Sequence, residues 1–194
     1  MFRGDNQVVA IQTERLIIRD NIKKDLNDLY ELTSDPVAMR FMKSTKIESM
    51  CEAKENLKQS INESKKMNRE KYYFAMVNKN SDEYIGAIGY TVEAVYPQGK
   101  LVELGYFIKQ KYWRMGYTTE AGSAVIKYAF EKDNVIKVIA ACLKENSASE
   151  NTMIKLGLQK EGELVNHQFH ENIWKTRVFY GLLKEDFLAG QGAI

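Results

Sequence analysis

Apolar residues recur along the chain with two periods. Continuous or alternating apolar runs at residues 13–20, 71–77, 84–94, 101–108, 135–143, 159–167 and 173–183 predict about seven strands. Spacings of three and four predict helices instead. Leu26, Leu29, Tyr30 and Thr33 share one face, Met50, Ala53, Leu57 and Ile61 a second, and Ala121, Ala124, Val125, Tyr128 and Ala129 a third. Asp35-Pro36 stops the first helix and can begin a short one over 36–42. Ser49 with Glu52, and Ser147 with Glu150, have capping-box spacing, while Gly157 suits the residue after a helix end. Residues 78–83, rich in Asn, Ser and Asp, join two strands as a hairpin. The pattern implies a mixed sheet with helices packed on it. Residues 1–12 have no period and read as an arm, 13–188 as a single domain, and 189–194 as a tail.

The rest of the chain is organised around the strand at 101–108 and the helix that follows it. The strand is apolar except for Glu103, and the period switches to helical across Lys109 to Thr118. A strand that ends in a glycine-bearing turn and feeds a helix leaves N–H groups unpaired at the positive end of the helix dipole, so the turn can hold an anion. Lys109, Lys111 and Arg114 add positive charge there. An ordinary solvated turn has the same features, so a second element is needed to decide. Gly86 and Gly89, inside the preceding strand, mark either a close backbone approach beside a ligand site or a plain sheet bend.

Composition narrows the classes. With 194 residues, 44% hydrophobic and 28% charged, the chain can bury one ordinary globular core. Its net charge of +2, with acids and bases interleaved, leaves no polyanion footprint, so no nucleic-acid partner is expected. No apolar run approaches the roughly 20 residues of a membrane span, and the first residues have no signal-peptide pattern. No membrane partner and a cytoplasmic location are therefore expected. Cys51 and Cys142 have no disulfide or metal-ligand spacing and read as free thiols, and no metal site is expected. His167 and His170, either side of Phe169, match no triad or metal pattern and receive no role.

The second element lies downstream, from Glu145 to Leu158. Together with the turn it resembles the acetyl-CoA-binding core of the GNAT N-acetyltransferases, above all the RimJ/RimL-type branch of ribosomal-protein N-terminal acetyltransferases. That branch usually reads Tyr-Trp-Gly-Lys-Gly-Tyr-Ala-Thr-Glu-Ala in the first element, and Tyr112 to Ala121 agrees at seven of ten places. In the second, Asn146, Ser149, Lys155, Leu156 and Gly157 stand where the branch asks for them. Thr13-Glu14-Arg15-Leu16, with Arg19, also resembles the opening of its domain. The resemblance implies the GNAT fold, an α/β (α+β) architecture. Its mixed, mostly antiparallel sheet of about seven strands is splayed between the fourth and fifth and flanked by about four to five helices.

The same resemblance implies an acetyl-CoA co-substrate and an amine acceptor. Backbone groups around Arg114, Met115, Gly116, Tyr117, Thr118 and Thr119 would cradle the pyrophosphate. Phe107 and Ile108 would offer main-chain hydrogen bonds to the acetyl carbonyl and pantetheine, Asn146 would bridge to the pantetheine arm, and Asn151 and Lys155 would lie near the 3′-phosphate. Acetyl transfer needs a base for the amine and an acid for the departing thiolate. Glu103, the one carboxylate of the central strand, is the candidate base, against an ion-paired structural glutamate. Ser149 is the candidate acid, against a simple helix-cap hydroxyl.

Three departures from the branch's pattern stand out. Arg114 and Met115 replace Gly-Lys, and Thr118 replaces Ala or Gly, so the turn loses a conformationally free residue and gains a β-branched one. The sequence leaves three functions open: acetylation of a protein N-terminal amine such as that of a ribosomal protein, acetylation of a small amine (a polyamine, an amino acid or an antibiotic), or non-catalytic CoA binding. Monomer and homodimer are both compatible with it.

Overall fold

A computed structural model describes residues 9–42 and 45–191. The expected arm and tail thus fall partly outside the described residues, at 1–8 and 192–194. Where the arm is described it is not featureless, because Ala10–Gln12 forms strand β1 and pairs antiparallel with β2 (Leu16–Asp20), Ile11 opposite Ile18. Residues 189–191 of the expected tail close the last helix, α5 (Lys184–Gln191).

The other strands are β3 (Lys71–Asn78), β4 (Tyr84–Tyr96), β5 (Gly99–Ile108), β6 (Val135–Leu143), β7 (Gln159–His170) and β8 (Ile173–Leu183). Helices α1 (Leu26–Ser34), α2 (Met50–Glu63), α3 (Tyr117–Lys132) and α4 (Ser147–Lys155) precede α5. The strands hydrogen-bond in the order β1-β2-β3-β4-β5-β6-β8-β7. This is the expected mixed sheet with one strand more, since β1 continues it. β5 and β6 run parallel, while β1 with β2, β2 with β3, β3 with β4, β6 with β8 and β7 with β8 are antiparallel.

The chain packs as two compact units. One comprises residues up to Thr91 with Gly105–Val125, the other Val92–Leu104 with residues from Ile126 onward. In the first, Leu16, Ile18, Phe74, Met76, Ile85 and Ile88 are buried along β2, β3 and β4, the inward half of each strand's alternation. Leu32 of α1 packs with Ala75, Val77 and Tyr84, and Phe107 lies against that cluster. A buried ion pair joins Asp20 to Arg69, whose guanidinium also sits 4.3 Å from the centre of the Tyr72 ring. Removing either partner would strand the other charge in a nearly dry site.

In the second unit the parallel ladder runs from Lys100 opposite Val135 to Glu103 opposite Ile139, and both strands extend beyond it, to Ile108 and Leu143. β6 is paired with β8 along most of its length, from Lys137 opposite Leu183 to Leu143 opposite Arg177. Val138, Ala140, Val178, Tyr180 and Leu182 are buried on these strands.

Two local expectations are corrected. Residues 36–41 form consecutive turns, not a helix. Asp35 does cap the segment, its carboxylate accepting the Val37 N–H at 2.8 Å and its carbonyl accepting from Met39 at 3.0 Å, but the bonds that follow are three-residue turns, Arg40 N–H to the Val37 carbonyl at 3.4 Å and Met42 N–H to the Met39 carbonyl at 2.9 Å, so the helix does not propagate past the buried Met39. At α4 the cap is Asn146, not Ser147: its side-chain oxygen accepts the Ser149 N–H at 3.2 Å. Asn, Asp and Ser compete closely at that position, so spacing could not choose between neighbours. The capping side chain at α2 is Ser49, as expected.

Gly86 and Gly89 owe their identity to close backbone packing. A Cβ at Gly86 would lie 2.5 Å from the Phe107 carbonyl oxygen and 2.9 Å from Ile108 Cα, and one at Gly89 would lie 1.7 Å from the Tyr72 carbonyl oxygen. Gly86 therefore lets β5 come close where Phe107 and Ile108 stand. Gly86→Ala is expected to destabilise by about 1–3 kcal/mol, because backbone must move to admit the methyl. Gly162→Ala, where nothing lies within 4 Å of the added atom, serves as the control. Urea unfolding of both variants decides, and equal midpoints would show that β5 is not held by that contact.

Candidate active site

The turn between β5 and α3 is built by its own backbone and by β2. Lys109 ends the strand, donating its N–H to the Ile85 carbonyl at 3.0 Å, and a short 3₁₀ turn covers Gln110–Tyr112. The Trp113 indole N–H then donates to the Ile108 carbonyl at 2.9 Å, which folds the turn back on the strand end. Arg114 and Gly116 both have positive φ, 62° and 80°. A branch pattern with Gly at the first position would meet that geometry without strain, whereas an arginine there costs about 1 kcal/mol or more.

That strain is held by Glu120 in the first turn of α3. Its carboxylate accepts from Thr13 Oγ1 at 2.6 Å, from the Arg15 N–H at 2.8 Å and from Arg15 Nε at 2.7 Å. Arg15 Nη1 reaches on to the Met115 carbonyl at 3.0 Å, and the guanidinium lies 4.3 Å from the centre of the Tyr117 ring. Burial by itself would raise the Glu120 pKa, but these donors outweigh it and hold the carboxyl below its ordinary range. The Thr-Glu-Arg-Leu phrase is thus a clamp on the turn. Its partner, Glu120, was in the matched motif without a role assigned to it.

The turn's charge differs from the expected one. Lys109 is buried and ion-paired with Asp28 at 2.8 Å and Glu31 at 2.7 Å on α1; burial would lower its pKa, but the two carboxylates raise it. Lys111 pairs with Glu83 at 3.1 Å. Among the described residues Arg114 has no ion pair, and it is exposed beside Met115 and Gly116. Tyr117, Thr118 and Thr119 are half-buried in the first turn of α3, where N–H groups have no helical carbonyl to reach.

In the second unit, Glu103 is half-buried and lines a cavity of about 250 Å³ together with Ile139, Ala140, Ala141, Glu161, Arg177, Phe179 and Tyr180. Desolvation raises its pKa, partly opposed by Arg177, whose Nη2 is 3.3 Å from Glu103 Oε1. Ser149, held through its N–H by Asn146, also hydrogen-bonds the Cys142 side chain. Cys142 is buried, which pushes its thiol up to about 11. Glu150, next along α4, accepts from the Tyr180 hydroxyl at 2.7 Å. Asn151 and Lys155 are exposed on α4.

The model of the acetyltransferase (GNAT) domain matches residues 15–159. The chain belongs to the GNAT acetyltransferases. This acetyltransferase is 31% identical over 177 residues to the uncharacterized N-acetyltransferase YnaD of Bacillus subtilis, covering 91% of the chain and 98% of that protein. It is 26% identical over 120 residues to the [ribosomal protein uS5]-alanine N-acetyltransferase of Escherichia coli, 62% of the chain and 61% of the relative. Its fold matches that of spermidine N-acetyltransferase from Vibrio cholerae in complex with CoA and spermine, with a TM-score of 0.78, 19% identity and coverage of 91% and 99%. The enzyme is an N-acetyltransferase with the expected fold and a ribosomal-protein acetyltransferase among its relatives.

Within the acetyltransferase, the first unit gathers Phe107, Ile108 and the 114–119 turn, and the second gathers Glu103, Asn146, Ser149, Asn151 and Lys155. Sequence reasoning missed Arg177 and Cys142. An arginine inside an apolar strand run, Trp174 to Leu183, was the available signal for the first. His170, left without a role, is buried near Glu145 and Glu171, their ligand atoms within 4.8 Å of one another, but Lys175 already neutralises Glu145 at 2.6 Å. Among the described residues no helix is long and apolar enough to cross a membrane.

Since the folded Glu120 titrates below its unfolded value, its stabilisation is full above the unfolded value and is lost as pH falls through the folded one. Glu120→Gln is therefore expected to destabilise at pH 7, with the gap to the parent closing as pH falls below about 4. Urea unfolding across that range tests it; a gap that does not change with pH would mean the charge contributes nothing.

Proposed function

We propose that this acetyltransferase moves the acetyl group of acetyl-CoA directly to a primary α-amine, such as that of a protein N-terminus. The observation that carries this reading is the half-buried carboxylate of Glu103 in a cavity whose lining carboxylates are each ion-paired. Glu103 faces Arg177, and Glu161 is ion-paired with Lys137. A polyamine carries several positive charges and calls for surplus negative charge, whereas one α-amine does not. The family match across 15–159 takes in parts of both units and supports treating 13–188 as one domain.

In the proposed reaction Glu103 takes a proton from the protonated acceptor amine, directly or through water; the neutral nitrogen then attacks the thioester carbon, the C–S bond breaks, and nitrogen gives up a second proton as the amide forms. Ser149 would relay that second proton, passing its hydroxyl proton to the leaving thiolate as it takes back the one released from nitrogen, directly or through water, so that both end neutral. Its neighbour Cys142 keeps its own proton, so the hydroxyl faces an uncharged thiol. Backbone N–H groups at Phe107 or Ile108, aimed at the thioester oxygen, would stabilise the developing oxyanion, a contact worth about 3 kcal/mol in other acyl transfers. The pyrophosphate would sit on the 114–119 turn with Arg114 as its free cation, Asn146 would meet the pantetheine arm, and Asn151 and Lys155 the 3′-phosphate.

Acetyl-CoA at about a millimolar is expected to raise the melting temperature, as a ligand of the folded state must. Gly116→Val, which places a side chain at φ 80°, is expected to remove most of that shift. No shift with the parent protein would end the cofactor assignment. A panel of N-terminal peptides and polyamines, read by thiol release, is expected to show turnover on the peptides, and turnover on polyamines alone would reverse the acceptor assignment.

For Glu103→Gln the expected loss of rate is greatest below the amine's pKa of about 8 and shrinks above it. Because burial raises the Glu103 pKa, the parent's acid limb should lie above the ordinary glutamate value near 4. A variant that matches the parent rate at pH 7 would remove Glu103 from the chemistry.

A further inference from the structure

Arg177 has no role in the reaction as described, and its surroundings are unusual for a structural arginine. A guanidinium has five N–H donors in a planar fork suited to a carboxylate. Here its ion pair is a single 3.3 Å contact from Nη2 to Glu103 Oε1, long for a charge-assisted bond. Its Nε–H is buried with no hydrogen-bond partner among the described residues. A buried donor left unmade is costly, and native structures rarely keep one without reason. The side chain is fixed on β8, opposite Leu143 of β6, and its guanidinium carbon lies 5.5 Å from the centre of the Phe179 ring. It lines the 250 Å³ cavity that Glu103 also lines.

The other polar groups of the cavity are already satisfied. Glu161 has Lys137 at 2.5 Å, and Tyr180 donates to Glu150 at 2.7 Å. Two groups remain underused and in contact, a carboxylate suited to an amine and a guanidinium suited to an oxyanion. We propose that Arg177 is a specificity-determining residue that binds a carboxylate carried by the acceptor a few bonds from the amine it presents to Glu103. This rests on the reading of Glu103 as the acceptor-side base. The carboxylate chemistry has two sources, the α-carboxylate of a free amino acid or an acidic side chain at the first position of a peptide. When that carboxylate takes the guanidinium, Glu103 is released from its ion pair to meet the amine, so recognition and proton transfer are served by one rearrangement.

Two matched pairs of acceptors test this: L-alanine against L-alaninamide, and Asp-Ala-amide against Asn-Ala-amide, with kcat and KM measured for each. At least one pair should favour its carboxylate member by about ten- to a hundredfold in kcat/KM, the range of one hydrogen-bonded charge pair. Which pair responds identifies the source. Arg177→Met should bring that preference near one, mainly by raising KM, while Arg177→Lys keeps part of it and checks that the fold survives. Flat pairs in the parent, or a preference that persists in Arg177→Met, would overturn the proposal. If none of the four turns over, the α-amine acceptor reading fails separately, and the subsite is then read by binding. Thermal shift of the CoA-saturated protein should respond to the carboxylate member and not its amide, and lose that response in Arg177→Met; no difference in the parent overturns the subsite as well.

Discussion

One carboxylate in the first turn of α3 carries much of the first unit's organisation. Glu120 accepts three hydrogen bonds from Thr13 and Arg15, and Arg15 passes on to the Met115 carbonyl and the Tyr117 ring. A carboxylate suits a helix start because it opposes the positive end of the dipole. Here it also ties the start of β2 to a turn about a hundred positions later. Arg15 is 40% exposed on its side chain and Glu120 17%, so solvent weakens the Coulomb part of the pair. The geometry of three converging donors matters more than its charge. With the turn held from outside, Arg114 can stay at a positive φ that an arginine would not adopt unaided.

Basic residues around the site divide by whether a carboxylate meets them. Lys109 is drawn down to Asp28 and Glu31, Lys111 to Glu83, and Lys137 to Glu161. These pairs tie the end of β5 to α1, the turn after it to the loop before β4, and β6 to β7. Two arginines are less engaged: Arg114 on the turn and Arg177 in the cavity. Both are guanidinium groups, whose planar forks hold phosphate and carboxylate better than an ammonium does.

Small residues and caps set the backbone that such a site needs. Gly86 lets the Phe107–Ile108 stretch approach β4, and Asn146 caps the start of α4 while holding Ser149 beside Cys142. Ser149 is therefore a residue of the helix start and a neighbour of a buried thiol at once, and Cys142 is kept from ionising by its burial.

Much was legible in the sequence alone. The strand and helix periods located β2 to β8 and α1 to α4 within a few residues, because each element's pattern follows from which of its own side chains are buried. The glycine turn and the Asn146–Ser149 spacing were local features too, and they marked the family, while Glu103's isolation in an apolar strand singled it out as a candidate base. Tertiary structure decided the rest. β1 has three residues, too few for a period, and exists because β2 offers an edge. The helix expected at 36–42 gave way to turns because, after Asp35, the backbone bonds Arg40 to Val37 and Met42 to Met39 close three-residue turns. Lys109, counted from sequence as charge for the turn, is spent on α1, and Arg177, unremarkable within its strand, meets Glu103 some 74 positions away. Such pairings depend on which strands lie side by side, and a one-dimensional pattern carries no distance between residues that far apart.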